Sequence, residues 1–158
     1  MALIQKTQKT TETGGWPGKI PLSYLYTAGR GGEEFFRKLK DSGKFVGSRC
    51  KSCGKVYVPV TIYCESCFQK TEGRSVPVKS RGTVHTFTVC SETYDEKRKK
   101  TPSIVAAIQL EGTDSVFLHW LGEIDPEDCE IGMEVEAVFK PKNARKGSIL
   151  DIKHFRPR

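Results

Sequence analysis

Apolar residues recur with two different periods along this chain, and the period changes near Gly73. Before it, Phe35, Phe36 and Leu39 fall at helical spacing among charged residues, which predicts a short amphipathic helix over 32–42. Glu33 and Glu34 sit in its first turn and Lys38 and Lys40 near its end, as the helix dipole favours, and Gly43 can close it. After Gly73 the period is two, predicting strands at 82–90, 103–110, 115–121, 133–140 and 148–155. Glu111-Gly112-Thr113-Asp114 is the expected hairpin turn between the second and third. In the fourth, Met133, Val135, Ala137 and Phe139 point inward and Glu134 and Glu136 outward. The strands at 103–110 and 115–121 are apolar on both faces, so one face fills a core while the other meets the rest of the chain or another protein. Five short strands with a break after the third match an OB-fold barrel.

The organisation expected is mainly β in three parts. Residues 1–30 form an extended N-terminal arm, 31–75 a short helix and a cysteine ribbon, and 76–158 the five-stranded OB-fold barrel. Trp16, Tyr24 and Tyr26 lie in an arm too irregular to bury them by itself, which makes them candidates for a partner interface together with Phe117.

Chemistry enters with the cysteines. Cys50-Lys-Ser-Cys53 and Cys64-Glu-Ser-Cys67 are two C-x-x-C knuckles separated by ten residues. Four soft ligands in two such pairs suit a tetrahedral metal, Zn²⁺ first and iron as the alternative. Four protein ligands saturate the ion, so the centre holds structure and leaves no position for substrate. Gly54 follows the first knuckle where the chain turns sharply; Phe68 stands at the matching place after the second. The 18 residues from Cys50 to Cys67 are too few for a core of their own, so the metal must supply their folding energy. Cys90 and Cys129 are expected to be reduced and buried.

The chain carries a net charge of +7. Residues 1–49 hold 9 basic and 4 acidic side chains and residues 50–75 hold 4 and 2, whereas 76–158 hold 13 of each. A nucleic-acid barrel concentrates cations on its ligand face, so this balance argues against that class. Two loops are nevertheless basic: Lys97, Arg98, Lys99 and Lys100 between the first two strands, and Lys140, Lys142, Arg145 and Lys146 between the last two. In an OB-fold these loops flank the ligand face, where they are solvated tips or phosphate contacts. The first residues lack the apolar core of a signal peptide, and no run is long enough to span a bilayer, so a cytoplasmic location is expected. No catalytic residue is expected. His85 and Cys90 differ by an odd offset on one strand, and no phosphate-binding glycine loop occurs.

The ribbon spacing, with Gly82-Thr-Val-x-Thr-Phe-Thr-Val89, Pro102-Ser-Ile-Val-Ala-Ala-Ile-Gln-Leu110 and Ile131-Gly-Met-x-Val-Glu-Ala-Val-Phe139, resembles the zinc-ribbon plus OB-fold family of acyl-CoA-associated accessory proteins. Members work beside thiolases, hydroxymethylglutaryl-CoA synthases, hydratases or aldolases. Leu22-Ser-Tyr-Leu-Tyr-Thr-Ala-Gly29 and Glu34-Phe-Phe-Arg-Lys-Leu39 look most like the thiolase-associated branch, which serves benzoylsuccinyl-CoA in aromatic degradation. The resemblance implies a non-catalytic subunit, two copies of which assemble with two copies of a thiolase-like large subunit. It also implies structural Zn²⁺ and a CoA ester as ligand of the complex. Lys97–Lys100, Arg145 and Lys146 then become candidates for the CoA phosphates. Relatives often read Pro-Pro-Arg where this chain has Pro59-Val60-Thr61, so no role passes to that arginine. Two other classes compete: a single-stranded nucleic-acid binder and a stand-alone acyl-CoA scaffold.

Overall fold

The computed structural model describes residues 23–92 and 97–158. Trp16 lies outside the described residues. Helix α1 (Gly29–Ser42) begins three residues before its periodic stretch. The reason lies across space: Gly31 is buried against the ribbon, and a Cβ there would collide with the carbonyl oxygen of Val60. Glu33 and Glu34 therefore fall beyond the first turn, and Glu33 pairs with Arg37 one turn on. Gly43 closes the helix at φ 61°, its N–H donating to the Leu39 carbonyl at 2.9 Å.

Strands β1 (Phe45–Arg49), β2 (Val56–Tyr57) and β3 (Ser75–Val78) form an antiparallel sheet in the order β2-β1-β3. The ribbon's sheet thus runs to Val78, three residues past the division expected at 75/76. Strands β4 (Arg81–Glu92), β5 (Arg98–Leu110), β6 (Val116–Leu121), β7 (Glu134–Phe139) and β8 (Ile152–Pro157) close a barrel in the order β4-β5-β6-β8-β7. β4 pairs with β7, and β6 meets β8 in parallel at Leu121 and Phe155.

Two expectations are corrected here. The fifth strand starts at Ile152, because residues 149–151 make a 3-10 turn. The turn carries a capping box: the Ser148 hydroxyl accepts from the Leu150 N–H at 3.1 Å, and the Asp151 carboxylate accepts from Ser148 N–H at 3.3 Å. On β4 the register slips at His85, since Val84 faces Ile108 and Thr86 faces Ala107. The bulge inverts the alternation, so Phe87 and Val89 oppose the inward Ala106 and Ile104, and Cys90 opposes Ser103 on the outer face. Cys90 is half-buried there rather than in the core, and the odd-offset argument separating it from His85 no longer holds. Cys129 is buried as expected, and burial pushes its thiol pKa up.

One core joins the parts. Phe35 and Leu39 of α1 and Phe45 of β1 pack with Ile108, Phe117, Val135 and Phe155 of the barrel. Phe45 stacks on Phe155 at 6.1 Å, meets Phe117 edge-on at 5.5 Å and approaches Phe139 at 5.4 Å. Asp114 tethers the ribbon: its Oδ2 accepts from the Val56 N–H at 2.9 Å, and its own N–H donates to the Val56 carbonyl at 2.8 Å.

Candidate metal centre and interaction surfaces

Both knuckles are built the same way. The N–H of Gly54 donates to the Cys50 carbonyl at 3.0 Å, and that of Phe68 to the Cys64 carbonyl at 2.9 Å. The N–H of Cys50 returns to Lys55 at 2.8 Å and that of Cys64 to Gln69 at 2.9 Å. This curl needs a left-handed residue four positions after the first cysteine, and Gly54 (φ 77°) and Phe68 (φ 58°) supply it. Phe68 does so with its ring 79% exposed.

The two curls aim four sulfurs at one point. Cys50, Cys53, Cys64 and Cys67 Sγ atoms lie within 4.8 Å of one another, with the Cys50–Cys67 and Cys53–Cys64 pairs at 3.5 Å. Sulfurs about 2.3 Å from a tetrahedral Zn²⁺ are about 3.8 Å apart, so the cluster fits the ion. Its electrostatics ask for one. Burial opposes ionisation of Cys64, yet the Tyr57 hydroxyl at 3.5 Å and the N–H groups of Cys67 and Ser66 pull its pKa down to about 6. At Cys53 the Lys55 N–H pulls the other way from burial and the crowding sulfurs, which prevail and push it up to about 12. Four thiolates this close need a divalent cation between them. The residues that would hold Zn²⁺ are the four expected from spacing, and all four coordination positions are theirs.

The second surface is the outer face of β6. Phe117, His119 and Leu121 point into the core, Phe117 being 5% exposed. That corrects the placing of Phe117 at a partner interface: its ring is committed to Phe35, Phe45 and Phe155. The opposite face, Val116, Leu118 and Trp120, is open, with Leu118 68% exposed. Tyr24, Leu25 and Tyr26 are exposed as well, the two tyrosine rings 6.0 Å apart.

The first basic cluster, expected in a loop, lies mostly on β5, with only Lys97 before the strand, while the second lies between β7 and β8. Lys97, Arg98 and Lys100 are exposed, while Lys99 donates to Ser103 Oγ at 2.6 Å and lies 5.6 Å from the centre of the Trp120 ring. The loop between β7 and β8 packs on α1. Arg145 is absorbed there, its Nε donating to the Lys140 carbonyl at 2.7 Å and its guanidinium 5.9 Å from the Phe139 ring. Lys146 is exposed and held by its N–H donating to Asp151 Oδ1 at 2.9 Å. Asp151 is the residue that the sequence pattern did not single out. Burial opposes its ionisation, but N–H groups of Lys146, Gly147 and Ser148 hold its pKa below the usual carboxylate value. Ser148-x-x-Asp151 was the available signal.

The histidines form no catalytic group with the thiols. His119 is buried between Phe117 and Phe155, His154 pairs with Glu123 at 3.0 Å, and His85 is exposed. Among the described residues, no histidine nitrogen bonds a cysteine sulfur. No helix among them is long and apolar enough to cross a membrane.

Known proteins share this arrangement. The model of the ChsH2 rubredoxin-like zinc ribbon domain matches residues 37–71, and that of the ChsH2 C-terminal OB-fold domain matches residues 75–140. A DUF35 domain-containing scaffold protein of Methanocaldococcus jannaschii is 35% identical over 105 residues, which cover 66% of this chain and 74% of that protein. The chain belongs to the DUF35 family. A DUF35 scaffold protein of Methanothermobacter thermautotrophicus is 31% identical over 105 residues, 66% of this chain and 78% of the relative. Among solved structures, a DUF35 protein of unknown function from Sulfolobus solfataricus aligns at TM-score 0.62 and 25% identity, over 82% of this chain and 84% of its own. The Ltp2-ChsH2(DUF35) aldolase aligns at TM-score 0.57 and 21% identity, over 79% and 93%. This DUF35 chain therefore carries the zinc ribbon and OB-fold of a family that includes scaffold proteins.

Proposed function

We propose that this DUF35 chain is a non-catalytic accessory subunit of a thiolase-like acyl-CoA enzyme, two copies of it on a large-subunit dimer. The observation that carries the reading is the open apolar face of β6. Val116, Leu118 and Trp120 are exposed on a barrel whose inner positions are already filled, and an apolar patch ringed by charge suits a permanent subunit contact. Tyr24, Leu25 and Tyr26 offer further aromatic and aliphatic surface to the same kind of partner. The Ltp2-ChsH2(DUF35) aldolase supports the general arrangement, a DUF35 chain named together with an enzyme subunit. The described residues pair no nucleophile with a base, and in this reading the chemistry belongs to the partner. Lys97, Arg98, Lys100 and Lys146 are exposed members of the two basic clusters and hold the phosphates of the CoA ester in this reading. In this reading the acyl group is an aromatic one such as benzoylsuccinyl.

Co-expression with a thiolase-like large subunit, followed by light scattering on the purified material, tests it. A complex with two copies of each chain is expected, with thiolysis of an acyl-CoA only when both chains are present. Leu118→Glu together with Trp120→Glu should dissociate the complex while leaving the isolated chain folded. A chain that stays monomeric beside every such subunit, or turns over an acyl-CoA alone, refutes the reading.

A further inference from the structure

The ribbon has a second feature, on the side where the first knuckle meets the start of β3. A recess of about 490 Å³ opens there, lined by Arg49, Lys51, Glu72, Gly73, Arg74 and Ser75. We propose that it binds a small phosphate-bearing anion of the pyrophosphate class, held by Arg49, Lys51 and Arg74. The site needs no second protein and stands apart from the partner reading above.

The recess gathers unanswered positive charge. Several arginines elsewhere on this surface pair with carboxylates: Arg81 with Glu111, Arg156 with Glu136 and Glu123, Arg158 with Glu134, and Arg37 with Glu33. In the ribbon recess Glu72 is the one acid in the lining, and both its oxygens are taken from outside. Oε1 receives Arg30 at 2.5 Å and Oε2 receives Lys70 at 2.6 Å. Among the described residues, Arg49 has only a 3.5 Å contact to the Gly54 carbonyl, and neither Arg74 nor Lys51 has an ion-pair partner. Three cations therefore share one concave surface without an acid to answer them.

Two of them leave from paired backbone. The Arg49 N–H donates to the Arg74 carbonyl at 3.0 Å, so two guanidiniums leave the backbone from hydrogen-bonded neighbours. Like charges set side by side on adjoining strands are destabilising unless an anion joins them. The pair does not serve the thiolates: the hydroxyl that reaches Cys64 Sγ is that of Tyr57, and no guanidinium donates to a sulfur. Gly73 adds bare backbone facing open space, since a Cβ there would meet nothing within 4 Å. Two arginine forks and one ammonium on a recess of this size fit a di- or triphosphate-type anion, which arginine binds through paired N–H donors.

Calorimetric titration of the zinc-loaded full chain with inorganic pyrophosphate, and separately with ADP, at low salt tests the site. Arg49→Gln/Arg74→Gln should weaken pyrophosphate binding about tenfold or more, the loss of charge-assisted hydrogen bonds. Arg98→Gln/Lys100→Gln, at the start of β5, should change it less than about twofold. Because the double arginine variant removes surface charge near the knuckle, Arg49→Lys/Arg74→Lys serves as the folded control. It keeps the charge, loses the fork, and should bind with intermediate affinity. Equal losses in the ribbon and β5 variants overturn the proposal, as does unaltered binding in both arginine variants. Failure of the native chain to bind either probe overturns it too, and so does tighter binding of a single-stranded oligonucleotide than of pyrophosphate.

Discussion

In the barrel, Val84, Ile104, Ile108, Leu110, Val135, Ile152 and Phe155 share one buried cluster, and α1 and β1 add Phe35, Leu39 and Phe45 to it. Beyond β1 the ribbon divides: Val56, Val58 and Val60 join that cluster, whereas Cys50, Tyr57 and Cys64, with Cys67 against them, form a separate and far smaller one. Three of those four are metal ligands. The barrel is thus held by apolar burial, and the knuckles by coordination with the backbone curls that aim it. The boundary between the two regimes runs within the ribbon's own sheet. Phe45 at one end of β1 belongs to the barrel core, while Arg49 at the other end leads straight into the first knuckle.

The largest test of that boundary is removal of the metal. Cys64→Ser should lose the zinc, and with it coordination energy on the order of 10 kcal/mol. Hydrogen exchange should then show residues 50–55 and 62–70 opening while β4–β8, Phe45 and residues 56–60 stay protected. Metal analysis that still finds one zinc per chain would overturn the assignment, and collapse of barrel protection would erase the distinction between the regions. Next comes Phe45→Ala. Its ring touches Phe35, Phe117, Phe139 and Phe155, so denaturant unfolding should lose about 3–5 kcal/mol while the zinc content is unchanged.

Asp151→Ala probes a polar knot at the barrel's end. It leaves the N–H groups of Lys146 and Gly147 without their acceptor, and should cost about 2–3 kcal/mol in the same assay. A smaller effect follows pH. His119 has its pKa pushed below the usual 6.5, chiefly by burial among aromatic rings. The unfolded chain takes up a proton as pH falls through 6.5 and the folded chain does not, so stability should decline below that value. His119→Phe should flatten the decline; an unchanged slope would place its origin elsewhere. Asp151 acts in a lower window, since its folded pKa lies below the usual 3.8 and its contribution is lost only as pH drops past that. The smallest change is expected at Phe68→Gly. Relief of the left-handed backbone and the greater freedom of glycine when unfolded oppose each other within about 1 kcal/mol, so zinc content and midpoint should barely move.

The sequence by itself determined the features that local chemistry encodes. Two C-x-x-C pairs identify the four ligands because a knuckle is a local fold, and Gly43 closes α1 because a helix end is too. Period-two alternation located β4, β6, β7 and the C-terminal part of β5, and the inward residues of β7, since a strand's faces follow from its own order; it missed the basic start of β5. What tertiary structure decided was every question about which of two equivalent surfaces is covered. β6 is apolar on both sides, and only the arrival of Phe35 and Phe45 from elsewhere committed Phe117 inward and left Leu118 and Trp120 open. The bulge at His85 depends on pairing with β5, and the early start of α1 on the approach of Gly31 to Val60. The isolation of Arg49, Lys51 and Arg74 depends likewise on Glu72 being engaged by Arg30 and Lys70, side chains that meet it only once the chain has folded.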